Sequence, residues 1–134
     1  MLWEHQGYSN QEQNIIDFKR SKDVYATIEA MKYHKELNLK GMVLFADNQL
    51  VGFTFGEYLT KDTCSILIEK TNTDFAGSAA YIYSEFCKQY WSDTQFTNAG
   101  DDWEIPSLAY TKESYNPSSR IKKYSAKIEE LVYA

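Results

Sequence analysis

The sequence predicts an α+β fold in which a mixed, mostly antiparallel sheet is flanked by helices. Three observations predict it. Residues 1–40 have helical periodicity, residues 41–70 form three strand-like runs separated by short polar turns, and residues 71–134 alternate helix, strand, helix and strand. A chain of 134 residues is long enough for one domain with its own core, so we expect a single domain over 1–134.

The N-terminal part is predicted to be helical. Ser9 and Glu12 have the spacing of a capping box, which indicates a helix start. A second helical stretch covers 23–37, and the sequence leaves open whether the two stretches form one helix. Gly41 is predicted to end this part. The side chains expected to face the interior are Ile15, Ile16, Phe18, Val24, Ile28 and Met31.

The strand over residues 50–58 alternates between bulky and small side chains. Its two faces carry Val51, Phe53 and Phe55 on one side and Gly52, Thr54 and Gly56 on the other. We expect the bulky face to pack in the core. The other face is almost bare, so a helix or a ligand is expected to approach the backbone closely there.

A glycine-containing loop connects the return strand 64–69 to the next helix. The apolar stripe of that helix is predicted to be Ala79, Ile82, Tyr83, Phe86, Cys87, Tyr90 and Trp91. A helix that starts after such a loop presents free N–H groups and the positive end of its dipole. Acyl-transfer folds commonly hold the donor at such a place, so Gly77 and Ser78 are predicted to bind substrate.

The C-terminal part continues with a short strand over 95–98 and an acidic loop at Asp101 and Asp102. A helix from Pro106 to Tyr115 follows, because Pro suits a first helical turn. A closing edge strand is predicted over 119–128, where Ile and Tyr residues alternate with basic residues.

The net charge, the two cysteines and the hydrophobic pattern of the sequence indicate which partners and which compartment to expect. The net charge of −5 gives no global attraction to nucleic acid or to an anionic membrane. Cys64 and Cys87 lie on a predicted strand and helix face, which favours buried thiols in a reducing compartment over a disulfide or a zinc site. No segment has the length of a membrane span or the pattern of a signal peptide, so we expect a cytoplasmic protein.

This order of elements resembles the GNAT-type acyltransferase fold and, more narrowly, the C-terminal catalytic domain of phosphatidylglycerol lysyltransferases. The resemblance covers about Leu39 to Lys127 and includes the strings 51–53, 55–57 and 68–70. Its C-terminal matches are Asn98, Asp101, Asp102, Leu108, Lys112, Ser114, Tyr115, Pro117, Lys123 and Tyr124. The resemblance implies an aminoacyl-tRNA donor, as in the Fem peptidyltransferases, and a chain equivalent to the second of two tandem GNAT units.

Several positions depart from the family pattern. Ala99-Gly100 stands where the family has Arg-Glu, and Asp74 stands where a GNAT donor loop has Arg or Gln. Glu104, Ser107 and Ala109 stand where the family has Gly, Gly and Arg. Asp74 would repel a pyrophosphate and would compete as a helix cap, so acetyl-CoA is a less suitable donor than aminoacyl-tRNA.

Acyl transfer needs a base for the acceptor and a donor for the developing oxyanion. The candidate catalytic residues are Glu57, Glu69, Asp102 and Tyr115, and the candidate substrate-binding residues are Lys70, Asn98, Lys112, Gly77 and Ser78. These residues also have structural alternatives to a functional role. Glu57, Glu69 and Lys70 would be charges at strand ends, Asp102 a helix cap, Tyr115 a packed ring and Lys112 a surface lysine.

Three functions remain open from the sequence: an aminoacyl- or acyltransferase, a degenerate non-catalytic GNAT-like binding domain, and a small acetyl-CoA-dependent N-acetyltransferase. The basic side chains that could meet a tRNA backbone are Arg120, Lys122, Lys123 and Lys127. An open sheet edge would suit a homodimer or a missing first unit.

Overall fold

The computed structural model describes residues 10–101 and 104–128. Within them the elements follow in the order α1 (Asn10–Tyr33), β1 (Lys40–Ala46), β2 (Gln49–Tyr58), β3 (Thr63–Thr71), α2 (Ser78–Tyr90), β4 (Phe96–Asn98) and α3 (Pro106–Glu113). The sheet order is β1-β2-β3-β4, with β1, β2 and β3 antiparallel and β4 parallel to β3. The predicted α+β class and the mixed, mostly antiparallel sheet are confirmed.

The two predicted N-terminal stretches form one helix, α1. It ends at Tyr33, and a turn follows in which Asn38 adopts a φ of +54° and Leu39 N–H donates to the His34 carbonyl at 2.8 Å. Asn tolerates this left-handed conformation, so the helix ends before Gly41, which lies in β1. The helical part thus ends within the predicted segment 38–41, but Asn38 and not Gly41 takes the left-handed position.

The predicted inward stripe of α1 is only partly buried. Val24 is half-buried, whereas Ile28 is 55 % exposed and Met31 is 48 % exposed, so the prediction was wrong for these two residues. Ser9 and the side chains of Glu12, Ile15, Ile16 and Phe18 lie outside the part that the structure describes.

The predicted close approach of a helix to the small-residue face of β2 is confirmed, but Phe53 and Phe55 on the bulky face are only half-buried, so the prediction that this face forms the core was wrong for them. We call the side of the sheet that packs against α2 the inner face and the other side the outer face. The small residues Gly52, Thr54 and Gly56 are buried on the inner face, and a Cβ on Gly56 would lie 3.1 Å from Phe86 Cε2 and from Trp91 Cζ2. The surface predicted to be bare is therefore covered by aromatic rings of the chain itself.

The core lies between the inner face and α2. Phe86 is fully buried and meets Trp91 edge to face, with ring centroids 5.8 Å apart. Cys64 and Ile66 complete this cluster from β3. Ile82, Phe86 and Trp91 of the predicted stripe thus lie in the core, whereas Tyr90 is exposed. Aromatic rings reach the backbone of β2 where it has small residues.

A β-bulge in β3 decides which face its charged residues occupy. Gly56 pairs with Ile66, but the next residue of β2, Phe55, pairs with Ile68, so Leu67 is the extra residue. As a result Glu69 lies opposite Thr54 on the inner face. Lys70 lies on the outer face.

The last predicted strand is not found. Residues 115–128 contain neither helix nor strand, which contradicts the predicted edge strand over 119–128. Instead Arg120 pairs with Glu113 of α3 at 2.5 Å, and Lys123 pairs with Asp101 at 3.2 Å. In the described residues no helix has the length and apolar character that crossing a membrane requires.

Candidate functional site

A cavity of about 300 Å³ opens where the end of β3, the start of α2 and the end of α3 meet. We call it the Gly77 cavity. Its lining residues are Thr71, Thr73, Phe75, Ala76, Gly77, Ser78, Ala79, Ala80, Thr111, Ser114 and Tyr115. Because these residues are uncharged, the cavity suits a neutral group better than a diphosphate, which needs cations or many donors.

The loop before α2 is organised by Asn72. Its carbonyl accepts hydrogen bonds from Phe75 N–H at 3.1 Å and from Ser78 Oγ at 3.2 Å, and its side-chain oxygen accepts from Asp74 N–H at 3.0 Å. Gly77 then adopts a φ of +77°, which glycine reaches without strain. Asp74 is exposed at the surface of this loop.

The first turn of α2 has no side-chain cap. No acidic residue lies in that turn, and the predicted competition from Asp74 as a cap does not occur. Ala79 and Ala80 of this turn line the cavity. Ser78 N–H donates to the Phe75 carbonyl at 3.2 Å. The N–H groups of Ala79 and Ala80 lie in the first turn, where N–H groups have no partner within the helix and carry its positive dipole end, so these two can donate to a ligand oxygen.

Glu69 is the polar residue with the most unusual surroundings. Its side chain is half-buried beneath α2, and its Oε1 is inaccessible to solvent and has no hydrogen-bond partner among the described residues. Burial raises its pKa to about 7, although the positive charges of Lys112 and Lys70 oppose this rise. Glu69 can therefore exchange a proton near neutral pH, as a general base must.

Two tyrosines stack on one another beside the cavity. Tyr115 lines the cavity and stacks on Tyr83 of α2, with ring centroids 4.7 Å apart and an angle of 15° between the rings. Burial raises the pKa of both phenols, and the charge of Glu69 adds to the rise for Tyr115. Both hydroxyls therefore remain protonated at neutral pH and can act as donors.

The two thiols lie behind the same region. Cys64 Sγ lies 3.4 Å from Thr97 Oγ1, and Cys87 Sγ lies 3.7 Å from the same oxygen. Burial raises the pKa of Cys87, while the contact with Thr97 opposes the rise. Both cysteines are free thiols, as predicted. The described residues contain no group of three or more His, Cys, Asp or Glu placed to hold a metal ion.

Two predicted site residues lie on the other side of the sheet. Glu57 pairs with Ser65 on the outer face, and Lys70 of the same face forms an ion pair with Asp23 of α1. Glu57 and Glu69 therefore do not face one another. From the predicted set, Gly77, Ser78 and Tyr115 line the cavity. Glu69 does not line it, but its charge interacts with Lys112 and with Tyr115.

Asn98 and Lys112 interact with the loop between β4 and α3. The side-chain oxygen of Asn98 accepts from Gly100 N–H at 2.8 Å, and Lys112 Nζ donates to the Ala99 carbonyl at 2.5 Å. Asp102 lies outside the described residues. The four basic residues near the C-terminus are exposed, and two of them, Arg120 and Lys123, are the ion-paired residues described above.

Sequence reasoning named Tyr83 and Cys87 only as part of an apolar helix face. Burial raises the pKa of both groups, and the charge of Glu69 adds a smaller rise. A signal was present: the two residues are four apart in α2, so their hydroxyl and thiol lie on one side of the helix that faces the sheet.

Comparisons with known proteins agree on the family and on the fold. Residues 7–127 match the family described as "Phosphatidylglycerol lysyltransferase, C-terminal". An uncharacterized protein of Mycoplasmoides gallisepticum is 32 % identical over 91 residues, which make up 68 % of this chain and 29 % of that protein.

Two solved structures resemble the chain. A conserved protein of unknown function from Bacteroides thetaiotaomicron has a TM-score of 0.67 and 26 % identity, and the match covers 82 % of this chain and 40 % of that one. A ribosomal-protein-alanine N-acetyltransferase from Brucella melitensis biovar Abortus has a TM-score of 0.54 and 13 % identity, over 87 % of this chain and 95 % of that one. The second likeness concerns the fold alone, which is that of a GNAT acetyltransferase. The chain spans well under half of the Mycoplasmoides and Bacteroides relatives.

Proposed function

Because the chain belongs to the phosphatidylglycerol lysyltransferase C-terminal family and has a GNAT-like fold, it is an acyltransferase-type domain, and we propose that it transfers an aminoacyl or other acyl group at the Gly77 cavity. The observation that supports this most is Glu69. A carboxylate with a buried, unpartnered oxygen and a pKa of about 7 is suited to take a proton at neutral pH.

The proposed reaction assigns one role to each group. The acceptor's hydroxyl or amine attacks the carbonyl carbon of the donor, and the proton that it loses passes to Glu69. The resulting oxyanion accepts hydrogen bonds from the N–H groups of Ala79 and Ala80 in the first turn of α2. When the bond to the leaving oxygen breaks, Tyr115 donates its proton to that oxygen, and Glu69 returns a proton to Tyr115. Such contacts commonly tighten only when substrate binds.

The uncharged cavity favours an aminoacyl ester over acetyl-CoA as donor. Asp74 is exposed in the loop before α2 and adds a negative charge there, which disfavours a pyrophosphate. Aminoacyl-tRNA is therefore the proposed donor, with Arg120, Lys122, Lys123 and Lys127 as proposed contacts to its phosphates. The free thiols Cys64 and Cys87 support the proposed cytoplasmic location.

The test is a transfer assay with charged lysyl-tRNA and separate acceptors: phosphatidylglycerol, a peptide and a small amine. We expect Glu69→Gln to lower the rate about 100-fold or more, because a positioned base contributes that much. Glu57→Gln is the matched control, since Glu57 lies on the outer face, and it should retain most of the activity. Equal rates for Glu69→Gln and wild type would contradict the assignment.

A second candidate is a non-catalytic domain that binds a partner through the outer face. The observation that favours it is the exposure of Ile28, Met31, Val43 and Phe45 on or beside that face. A second copy of the chain, or a first unit, is the proposed partner. A thermal shift assay with acetyl-CoA separately tests the third candidate, since a ligand that binds only the folded state must raise the Tm.

A further inference from the structure

The loop between β4 and α3 forms a brace that ends on Lys112. Asn98 closes a turn by accepting from Gly100 N–H at 2.8 Å, and this turn directs the Ala99 carbonyl toward Lys112 Nζ, which donates to it at 2.5 Å. We call Asn98, Ala99, Gly100 and Lys112 the Lys112 brace. The ammonium group is thus held by the protein's own backbone rather than extended into the Gly77 cavity.

Gly100 allows the loop to take this shape. Its φ is +82°, which other residues adopt only with strain. A Cβ on Gly100 would lie 3.6 Å from Lys112 Nζ and 3.8 Å from the Ile66 carbonyl, so the loop packs against both the lysine and β3. The brace therefore fixes the half-buried Lys112 side chain from two directions.

The charge of Lys112 acts on Glu69. Among the described residues, the groups that interact electrostatically with Glu69 are Lys112 from the end of α3, Tyr83 and Cys87 from α2, Tyr115, and its neighbour Lys70 in β3. The phenols and the thiol are uncharged at neutral pH because burial raises their pKa.

The two lysines differ in what holds them. Lys70 lies on the outer face, where it forms an ion pair with Asp23, and its effect on Glu69 is smaller than that of Lys112. Lys112 is thus the main positive charge that acts on Glu69 from the inner side of the sheet.

We propose that Lys112 is a positioning residue: the brace holds its ammonium group so that it stabilises the Glu69 carboxylate, and Lys112 does not bind the substrate. The consequence for catalysis rests on the proposed function, whereas the effect of the Lys112 charge on the Glu69 carboxylate does not. Asn98 is a positioning residue as well, because it closes the turn that holds Lys112.

The test is an NMR titration of the glutamate side-chain carboxyl groups in the full chain, with Glu69 identified by the signal that is lost in Glu69→Gln. The wild-type midpoint is expected near 7. Lys112→Met should raise it by about 1 unit, because loss of a nearby opposite charge favours the protonated acid. Lys112→Arg keeps the charge and should leave the midpoint close to wild type.

Two further variants make the test decisive. Lys88→Met removes an exposed lysine elsewhere on the surface and should leave the Glu69 midpoint unchanged. Asn98→Ala keeps the lysine but loosens the brace, so it should raise the midpoint by less than Lys112→Met does, and it serves if Lys112→Met fails to fold. An unmoved midpoint in both, or an equal rise in Lys112→Arg and Lys112→Met, would overturn the proposal.

The outcome is separable from the proposed transferase activity, since the titration uses no substrate. If the chain does transfer acyl groups, the acid limb of the pH profile of kcat/KM should move to higher pH in Lys112→Met, because the base must be ionised to act. A lysine that bound substrate would instead change KM without moving that limb.

Discussion

The two faces of the sheet are covered in different ways. On the inner face, Gly56 lies directly beneath the rings of Phe86 and Trp91. On the outer face, Phe53 and Phe55 are half-buried, and Phe45 of β1 is 63 % exposed. The comparison teaches that small residues along a strand mark the place where the chain's own large side chains come closest, rather than a surface left open for a ligand.

The faces also differ in their charged groups. A single extra residue, Leu67, places Glu69 on the inner face and Lys70 on the outer face. Lys70 finds an ion-pair partner in Asp23, whereas one oxygen of Glu69 has none among the described residues. The inner face thus combines the tight core with the titratable group that the proposed chemistry needs.

The largest expected difference between the faces is the loss of stability when one phenylalanine of each face is replaced by alanine. Phe86→Ala should lower the free energy of unfolding by about 3–5 kcal/mol, because it leaves a cavity in a fully buried site. Phe45→Ala should lower it by less than about 1 kcal/mol, because that ring is mostly exposed. Urea denaturation monitored by tryptophan fluorescence measures both.

Similar losses for the two variants would contradict this comparison. A large loss for Phe45→Ala that depends on protein concentration would instead indicate that a second copy covers the outer face, since association adds to apparent stability by mass action.

The next effect is a pH dependence that belongs to the inner face. The pKa of Glu69 is raised from 4.5 to about 7 in the folded state. Between pH 4.5 and pH 7, Glu69 is ionised in the unfolded chain but is still protonated in the folded chain. The stability linked to Glu69 is therefore fully present below pH 4.5 and is lost as the pH rises through 7, by about 3 kcal/mol in total.

Glu69→Gln removes this dependence. The free energy of unfolding of the variant, relative to that of wild type, should therefore increase as the pH is raised from 4 to 8. Urea denaturation at several pH values measures the difference. Glu57→Gln on the outer face still contains Glu69 and should therefore follow the wild-type pH dependence. Parallel curves for Glu69→Gln and wild type would refute the raised pKa.

The sequence predicted the elements better than it predicted how they pack. Strand alternation and the stripe of α2 placed most elements correctly, because hydrophobic periodicity is a local signal. The close approach of a helix to the small-residue face of β2 was predicted correctly, but the core was assigned to the face of Phe53 and Phe55, which are only half-buried. Only the tertiary fit of Phe86 and Trp91 onto Gly56 decides this, and no local pattern contains it.

The candidate site was predictable to a similar extent. Glu69, Tyr115 and the Gly77 loop were found from spacing and from the family resemblance. The placement of Glu57 and Glu69 on opposite faces of the sheet was not, since it depends on the bulge at Leu67, which no turn residue signals. The role of Lys112 was also hidden, because its partner is a backbone carbonyl.

The smallest expected effect compares the same substitution on the two faces. In Gly56→Ala the new Cβ would lie 2.8 Å from the Ser65 carbonyl and 3.1 Å from two aromatic rings, so backbone must shift and stability should fall by about 1–3 kcal/mol. In Gly41→Ala the close atoms belong to the ring of Phe55, at 3.0 and 3.1 Å. That ring is half-buried and can move, so the loss should stay below about 1 kcal/mol. Urea denaturation of both variants decides the matter: a loss for Gly41→Ala as large as that for Gly56→Ala would mean that the outer face is packed as rigidly as the inner one.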